Sequence, residues 1–563
     1  MSNYDAIVVG AGHNGLVTAL YLARAGYKVL VLERNENIGG AVQSGEITQP
    51  GFIHDLWSTN QNLFLASPVY KELKDDLARH GLKYANSPNP YCCAFPDGKS
   101  LQVYSNADKT LDLLRQHNPK DAEGWSDLYE HFRAFQKALL PLYATPLPSG
   151  QAGVKLGQAL TSVGFAELVR IARILASSTR QLGLDFFDSR EARTLISTWG
   201  MHMDFGPDVS GGAMFPFMET FSDMEEGMNF AQGGAAKMPI ALAELAKEHG
   251  AEIRTQADVS QIVEENGRAI AVELTTGERI DASRAIIANL TPAVLFQRLL
   301  KNTSLSSQIQ RYVKSYVYGP GTMMVHLALK GKPNWNGSPD LKDFAYVHIA
   351  PYVEDLAQTY NDSINGILPA SPLLIVGQTS TVDPTRTPSP DDQILWIQVR
   401  TLPSKIQGDA KGEIQGRDWD EVKEPFALRV LQKLEQYAPG IRDQILDGKI
   451  YSPKDLERHN PNLVGGDSIG GSFHLRQNFL FRPFPNYSNY KMPLEHLYMA
   501  GAGTWPGPGT NATSGYLCAQ EILNSHKLVK TVVTGAAIGA AAIATGIAVK
   551  KINEGDNHES DRD

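Results

Sequence analysis

A short apolar run, Ala6-Ile7-Val8-Val9, opens the chain almost at once. Apolar positions at helical spacing follow from about Asn14 to Ala25, and a second apolar run covers Lys28 to Leu32. A period of 2, then 3.6, then 2 again predicts one strand–helix–strand unit. Residues 105–200 hold helical spacing, as in Ala134-Phe135 and Ala138-Leu139-Leu140, and predict a mainly helical region. A helix from Met238 to His249 leads into strand-like Glu252-Ile253-Arg254. Two alternating segments, Ala269 to Leu274 and Ile280 to Ala288, flank a turn at Thr276-Gly277. Between 300 and 450, strand-like Thr322 to Leu329, Leu373 to Val376 and Ile394 to Val399 are separated by Pro-rich loops, the richest at 383–390. A last strand, His496 to Ala500, runs into Gly501-Ala502-Gly503 and then a helix from near Ser514.

Composition narrows the class. The length of 563 residues suits two to four domains, and 42% hydrophobic with 20% charged residues excludes a disordered or collagen-like chain. Three cysteines exclude a disulfide scaffold. Cys92 and Cys93 are adjacent, with neither redox nor metal-finger spacing, and Cys518 stands alone, as expected of packing residues in a reducing compartment. The net charge of −9 is diffuse, and the lack of a basic stripe argues against nucleic acid as a partner. The first strand follows Met1–Asp5 without a basic segment or a separate apolar core for a signal peptide, so the body is expected on the cytoplasmic side.

Near the other end, 18 uncharged residues from Val532 to Val549 lie between Lys527 and Lys530 on one side and Lys550 and Lys551 on the other. That length approaches a membrane span, and Gly535 and Gly539 have the GxxxG spacing of packed membrane helices. A membrane-anchoring helix at 527–552 and a polar acidic tail at 553–563 are expected. The alternative is a soluble cytoplasmic body carrying an Ala/Gly-rich tail.

The strongest chemical signal is Gly10-Ala11-Gly12-His13-Asn14-Gly15, because it lies between a strand and a helix. Gly10 permits a tight turn, Gly12 lets the backbone approach a pyrophosphate, and Gly15 lets helix and strand pack closely. The helix N-terminus offers free N–H groups to phosphate. Glu33, at the end of the second strand, is placed to accept hydrogen bonds from an adenosine ribose. Arg34 and a second glycine pair, Gly39-Gly40, follow at the spacing of flavoproteins that bind FAD in an extended form. A second such fingerprint for a nicotinamide is absent from the sequence. One FAD is therefore expected. Neither a nucleophile–base motif nor a metal-ligand cluster is evident, so no catalytic side chain and no metal is assigned.

At these residues the chain resembles the phytoene desaturase-like FAD-dependent oxidoreductases. The segment Gly10 to Leu16 is similar to the branch holding the O-type β-carotene ketolases and the animal pyridine nucleotide-disulfide oxidoreductase domain-containing protein 2. Five further segments agree: Pro50-Gly51-Phe52, Gln232-Gly233-Gly234, Asp383-Pro384-Thr385, Tyr437-Ala438-Pro439-Gly440, and Phe481-Arg482-Pro483 with Leu497 to Gly503 and Pro506-Gly507. One departure stands out. Relatives often carry a Gly-rich run followed by an Arg-Asn pair, where this chain has Trp505 to Asn511 and then Tyr516-Leu517.

The resemblance implies an α/β fold. Its Rossmann-like FAD-binding domain, of glutathione-reductase/amine-oxidase type, would be made of discontinuous segments, 1–90, 225–300 and 450–526. An inserted α+β substrate domain would comprise 91–224 and 301–449. Gly10, Ala11, Gly12, Asn14, Gly15, Glu33, Arg34, Gly39, Gly40, Val259 and Gly503 would hold FAD. His54, Trp57 and Trp505 are the substrate-lining candidates, and Met214 to Met218 either packs the core or floors an apolar tunnel. The implied activity is that of a desaturase or ketolase on a carotenoid or another long isoprenoid, a hydrophobic small molecule. The alternatives are an oxidase of a soluble amine-like substrate and a non-catalytic flavin-binding regulatory protein.

Overall fold

The computed structural model describes residues 4–525, so the expected anchor helix at 527–552 and the acidic tail lie outside the described residues. Among the described residues, no helix is long and apolar enough to cross a membrane.

Strand β1 (Tyr4–Val9), helix α1 (His13–Arg24) and strand β2 (Val29–Leu32) form the expected unit. Both strands are parallel, with Ala6 opposite Val29 and Val9 opposite Leu32. Around them grows a seven-stranded sheet. Glu252–Arg254 adds to β2, Arg279–Ala288 adds to β1, and Leu497–Met499 adds beyond that, all parallel. Val259–Glu265 and Arg268–Leu274 continue from Arg279–Ala288 as an antiparallel meander. Helix α1 is buried from Asn14 to Ala23, packed between sheet, helix Lys237–Glu248 and the helix at 513–525. A strand apolar on both faces is what a parallel sheet covered by helices requires.

A second seven-stranded sheet takes its strands, in spatial order, from Ile445–Tyr451, Gly321–Lys330, Asp392–Leu402, Leu373–Gly377, Tyr346–Ile349, Tyr91–Ala94 and Ser100–Val103. It is antiparallel except where Tyr346–Ile349 runs parallel to Tyr91–Ala94. The expected division at residue 449 cuts Ile445–Tyr451, because this strand pairs with Gly321–Lys330 through Tyr451. Six α-helices between Ala107 and Gly200 cover one side. All three cysteines are buried and free.

Asp392–Leu402 is buried at every position, and its alternation divides two environments. Leu395, Ile397 and Val399 enter one apolar core, while Trp396, Gln398 and Arg400 face a cleft between the sheets. The two-residue period of a strand makes that split.

Candidate active site: a cleft between two sheets

The cleft encloses about 1980 Å³ of space, including open solvent, and runs from the β1–α1 turn to the second sheet. At its first end the wall is backbone. Gly10 donates its N–H to Leu32 O at 2.8 Å, and Gly39 donates to Ala11 O at 2.9 Å, which holds the Gly39-Gly40 turn beside the first glycine loop. A methyl group on Gly15 would stand 2.3 Å from Gly10 O, so only glycine lets α1 lie this close to the turn. Gly12 caps α1 without a side-chain hydrogen bond, which leaves the first helical N–H groups as donors.

Glu33 is buried at the end of β2. Its Oε2 accepts Ala11 N–H at 2.9 Å and its Oε1 accepts Asn35 N–H at 3.0 Å. Burial pushes this carboxyl up, and the two N–H groups oppose the shift. An ionised carboxylate accepts about four hydrogen bonds, so Glu33 retains acceptor capacity on its cleft side for ribose hydroxyls.

Of the expected FAD residues, Gly10, Gly12, Asn14, Glu33, Arg34, Gly39, Gly40 and Val259 line the cleft. Ala11 and Gly15 lie directly behind the loop. Asn14 Oδ1 accepts Gly515 N–H at 2.9 Å and so ties α1 to the helix at 513–525. Gly503 does not line the cleft. It is crowded against Met499 and Pro292, and Ala500, Gly501 and Ala502 form the wall instead. Sequence reasoning missed Asn289, one residue past Arg279–Ala288, whose Nδ2 donates to Gly10 O at 3.1 Å. It also missed Arg298, which pairs with Asp258 at 2.6 Å beside Val259. Amide donors, close backbone approach and a buried acceptor fit an extended adenine dinucleotide.

At the other end the wall is made of side chains. Trp57, Trp199, Met203, Phe215, Tyr346 and Trp396 line it, joined by His202, Glu219, Gln398 and Arg400. Tyr346 and Trp396 stack with centroids 5.8 Å apart, and Trp199 packs on His202 at 4.3 Å. The Nε2 atoms of His202 and His348 are 3.0 Å apart, a hydrogen bond between imidazoles that burial holds neutral. Arg400 donates to Thr322 Oγ1 at 3.3 Å, to Ser468 Oγ and to Met201 O. Burial pushes its guanidinium down to about 10. It therefore stays cationic at neutral pH.

The three substrate-lining candidates separate. Trp57 faces the cleft, its ring against Tyr451 at 4.8 Å. His54 and Trp505 do not. His54 is completely buried behind the wall, bonded to Thr48 Oγ1 at 2.8 Å and set edge-on to His326. Trp505 donates its Nε1–H to Thr145 O at 3.0 Å and packs between Tyr143 and Phe479. Phe215 lines the cleft, while Phe217 and Met218 join the core, so the segment divides between lining and packing.

Two of the sequence segments, Gln232-Gly233-Gly234 and Asp383-Pro384-Thr385, converge on a buried ion cluster. Arg386 donates to Asp55 Oδ2 at 2.6 Å, to Asp383 Oδ2 at 3.1 Å and to Ala231 O at 2.8 Å. Gly233 and Ala235 donate their N–H groups to the same two carboxylates. Removing one partner of such a pair costs about 3–5 kcal/mol. Arg482 acts similarly on the wall, donating to the carbonyls of Gly471, Ser472 and Ala502.

The chain is 28% identical to the pyridine nucleotide-disulfide oxidoreductase domain-containing protein 2 of Rattus norvegicus, over 93% of this chain and 94% of that one. It is 25% identical to a phytoene desaturase (neurosporene-forming) of Cereibacter sphaeroides, over 91% and 92%. The structure of a cyclohexylamine oxidase from Brevibacterium oxydans superposes with a TM-score of 0.56 at 15% identity, over 93% of this chain and 99% of that one, which shows a shared fold. The family model for flavin containing amine oxidoreductase matches residues 15–451, and the chain belongs to that family as an FAD-dependent oxidoreductase.

Proposed function

We propose that this enzyme is a desaturase or ketolase of a carotenoid or another long isoprenoid. The observation that carries the reading is the far wall of the cleft, where Trp57, Trp199, Phe215, Tyr346 and Trp396 offer flat apolar faces to one space. Such faces suit a planar polyene. The similarity to a phytoene desaturase supports the same class. Bound FAD supplies the acceptor for a hydride. The chain does the rest: the two glycine loops and Glu33 fix the dinucleotide, the aromatic wall orients the substrate, and burial excludes water.

A second reading is an amine-like substrate, favoured by a carboxyl, Glu219, set among aromatic rings. Reaction products separate the two. Aerobic incubation with β-carotene or phytoene, followed by mass spectrometry, should yield a product two hydrogens lighter or one bearing a new carbonyl. Turnover of amines alone would remove the isoprenoid reading.

We also propose contact with a membrane, with the body on the cytoplasmic side. An isoprenoid of this length partitions into lipid, and the apolar stretch at 532–549 is one means of staying near it. Exposed Val154, Leu160, Phe165 and Val169, on helices Gly150–Val163 and Phe165–Ala176, support a lipid-facing side. Flotation of the full-length chain with liposomes tests this; a protein that stays at the bottom of the gradient contradicts it.

A further inference from the structure

Two acids stand one turn apart on helix Met214–Glu226, and no cation pairs with either among the described residues. Glu219 lines the far end of the cleft and is 7% exposed, while Asp223 is fully buried. Asn62 Nδ2 donates to Asp223 Oδ1 at 2.9 Å, but Asp223 Oδ2 has no hydrogen-bond partner.

The surroundings supply no compensating charge. Tyr91 and Tyr346, two phenols that feel these acids, are pushed well up by burial, and His202 is neutral in the same wall. Arg400 is turned to Ser468, Thr322 and backbone carbonyls, and Asp55 is bound by Arg386. From the neighbouring helix Pro119–Ala138, Tyr129 and Gln136 donate instead to Glu225. Two buried acids without a counter-ion cannot both ionise, because each charge lacks hydration and repels the other. Burial pushes Glu219 up to about 7. Burial and the Glu219 charge push Asp223 well above the ordinary carboxylate range. Fully buried Asp223 is therefore the acid of the pair that favours its proton, while Glu219, which lines the cleft, is the one placed to exchange one.

We propose that Glu219 is the proton-accepting catalytic residue of this cleft and that Asp223, in its protonated form, positions it. The assignment rests on the isoprenoid reading. Oxidation of a CH–CH unit to C=C removes two hydrogens. One leaves with its electron pair as hydride to oxidised FAD. The other leaves as a proton to the Glu219 carboxylate, and the pair from that second C–H bond becomes the new π bond. Solvent takes the proton from Glu219 before the next turnover.

The test uses flavin-loaded, full-length wild type, Glu219→Gln and Asp223→Asn, whose amides preserve side-chain shape; flavin stoichiometry reports the fold. Infrared difference spectra across pH should show a protonated-carboxyl band titrating near pH 7 in wild type, lost in Glu219→Gln and kept in Asp223→Asn. Anaerobic flavin bleaching by β-carotene or phytoene should quicken with pH through that range in wild type. In Glu219→Gln it should fall about 100- to 10,000-fold and lose its pH dependence. An unchanged band in Glu219→Gln overturns the proton assignment. Loss of the band with undiminished bleaching overturns the catalytic role. If neither β-carotene nor phytoene bleaches any variant, wild type included, the isoprenoid reading fails and takes the catalytic role with it, while the band still decides the proton.

Discussion

The dinucleotide end of the cleft takes its glycine loops and its buried acceptor from residues before 41. The far end draws Trp57, Trp199, Phe215, Tyr346 and Trp396 from five separate segments. The first end works through backbone N–H groups, which glycine leaves accessible. The second works through ring faces and a few buried polar groups, which strand alternation selects. A scaffold built this way can keep its cofactor while its substrate wall changes, because the two walls share few residues.

The contrast is most vulnerable at the backbone end. Gly15→Ala places a methyl 2.3 Å from Gly10 O, and relieving that contact costs about 3 kcal/mol or more. The purified variant should retain no flavin, read as the ratio of flavin to protein absorbance. Next comes Glu33→Gln, which removes charge from hydrogen bonds worth about 1.5–3 kcal/mol. FAD affinity, measured by fluorescence titration of the apoprotein, should fall roughly 10- to 150-fold.

At the far end, Trp396→Leu probes the other wall alone. It should leave flavin content unchanged and raise the KM for the isoprenoid roughly tenfold, as loss of a ring stack worth about 1 kcal/mol with its apolar area implies. Loss of flavin in this variant would mean that the two walls are not separable.

These differences in construction also explain what is legible in the sequence. The glycine loops and Glu33 are readable because a local motif encodes them within a strand–turn–helix unit, while Val259, at the start of a distant strand, is placed only by the resemblance. Gly503 is misplaced by a few residues because its segment has several small residues in a row, and packing against Met499 chooses which of them face the cleft. His54 and Trp505 are suggested by proximity in the chain, yet each finds its partners behind the wall. Gln398 and Arg400 leave a signal that is easily passed over. They are polar residues at alternate positions beside Trp396, Ile397 and Val399, and burying them requires a polar face. Glu219 and Asp223 leave another, as two acids at helical spacing in a Met- and Phe-rich helix.

The smallest effect concerns His54. Burial pushes its imidazole down to about 4, below the ordinary value of 6.5 that the unfolded chain recovers. Between those values the unfolded state binds the extra proton, so this contribution is complete above pH 6.5 and is lost as pH falls toward 4. His54→Phe should flatten the acid side of a Tm-against-pH curve by about one proton, or roughly 1.4 kcal/mol per pH unit. It should leave flavin binding and KM unchanged, since His54 lies outside the cleft.

The proposed function has one cleft bind FAD at its glycine end and an isoprenoid at its aromatic end. The decisive measurement is anaerobic addition of β-carotene or phytoene, and separately of amines, to the full-length flavoprotein in detergent, followed by the oxidised-flavin absorbance. Bleaching by a carotene and none by an amine is the expected result. Bleaching by an amine alone, or a protein that carries no flavin, would contradict it.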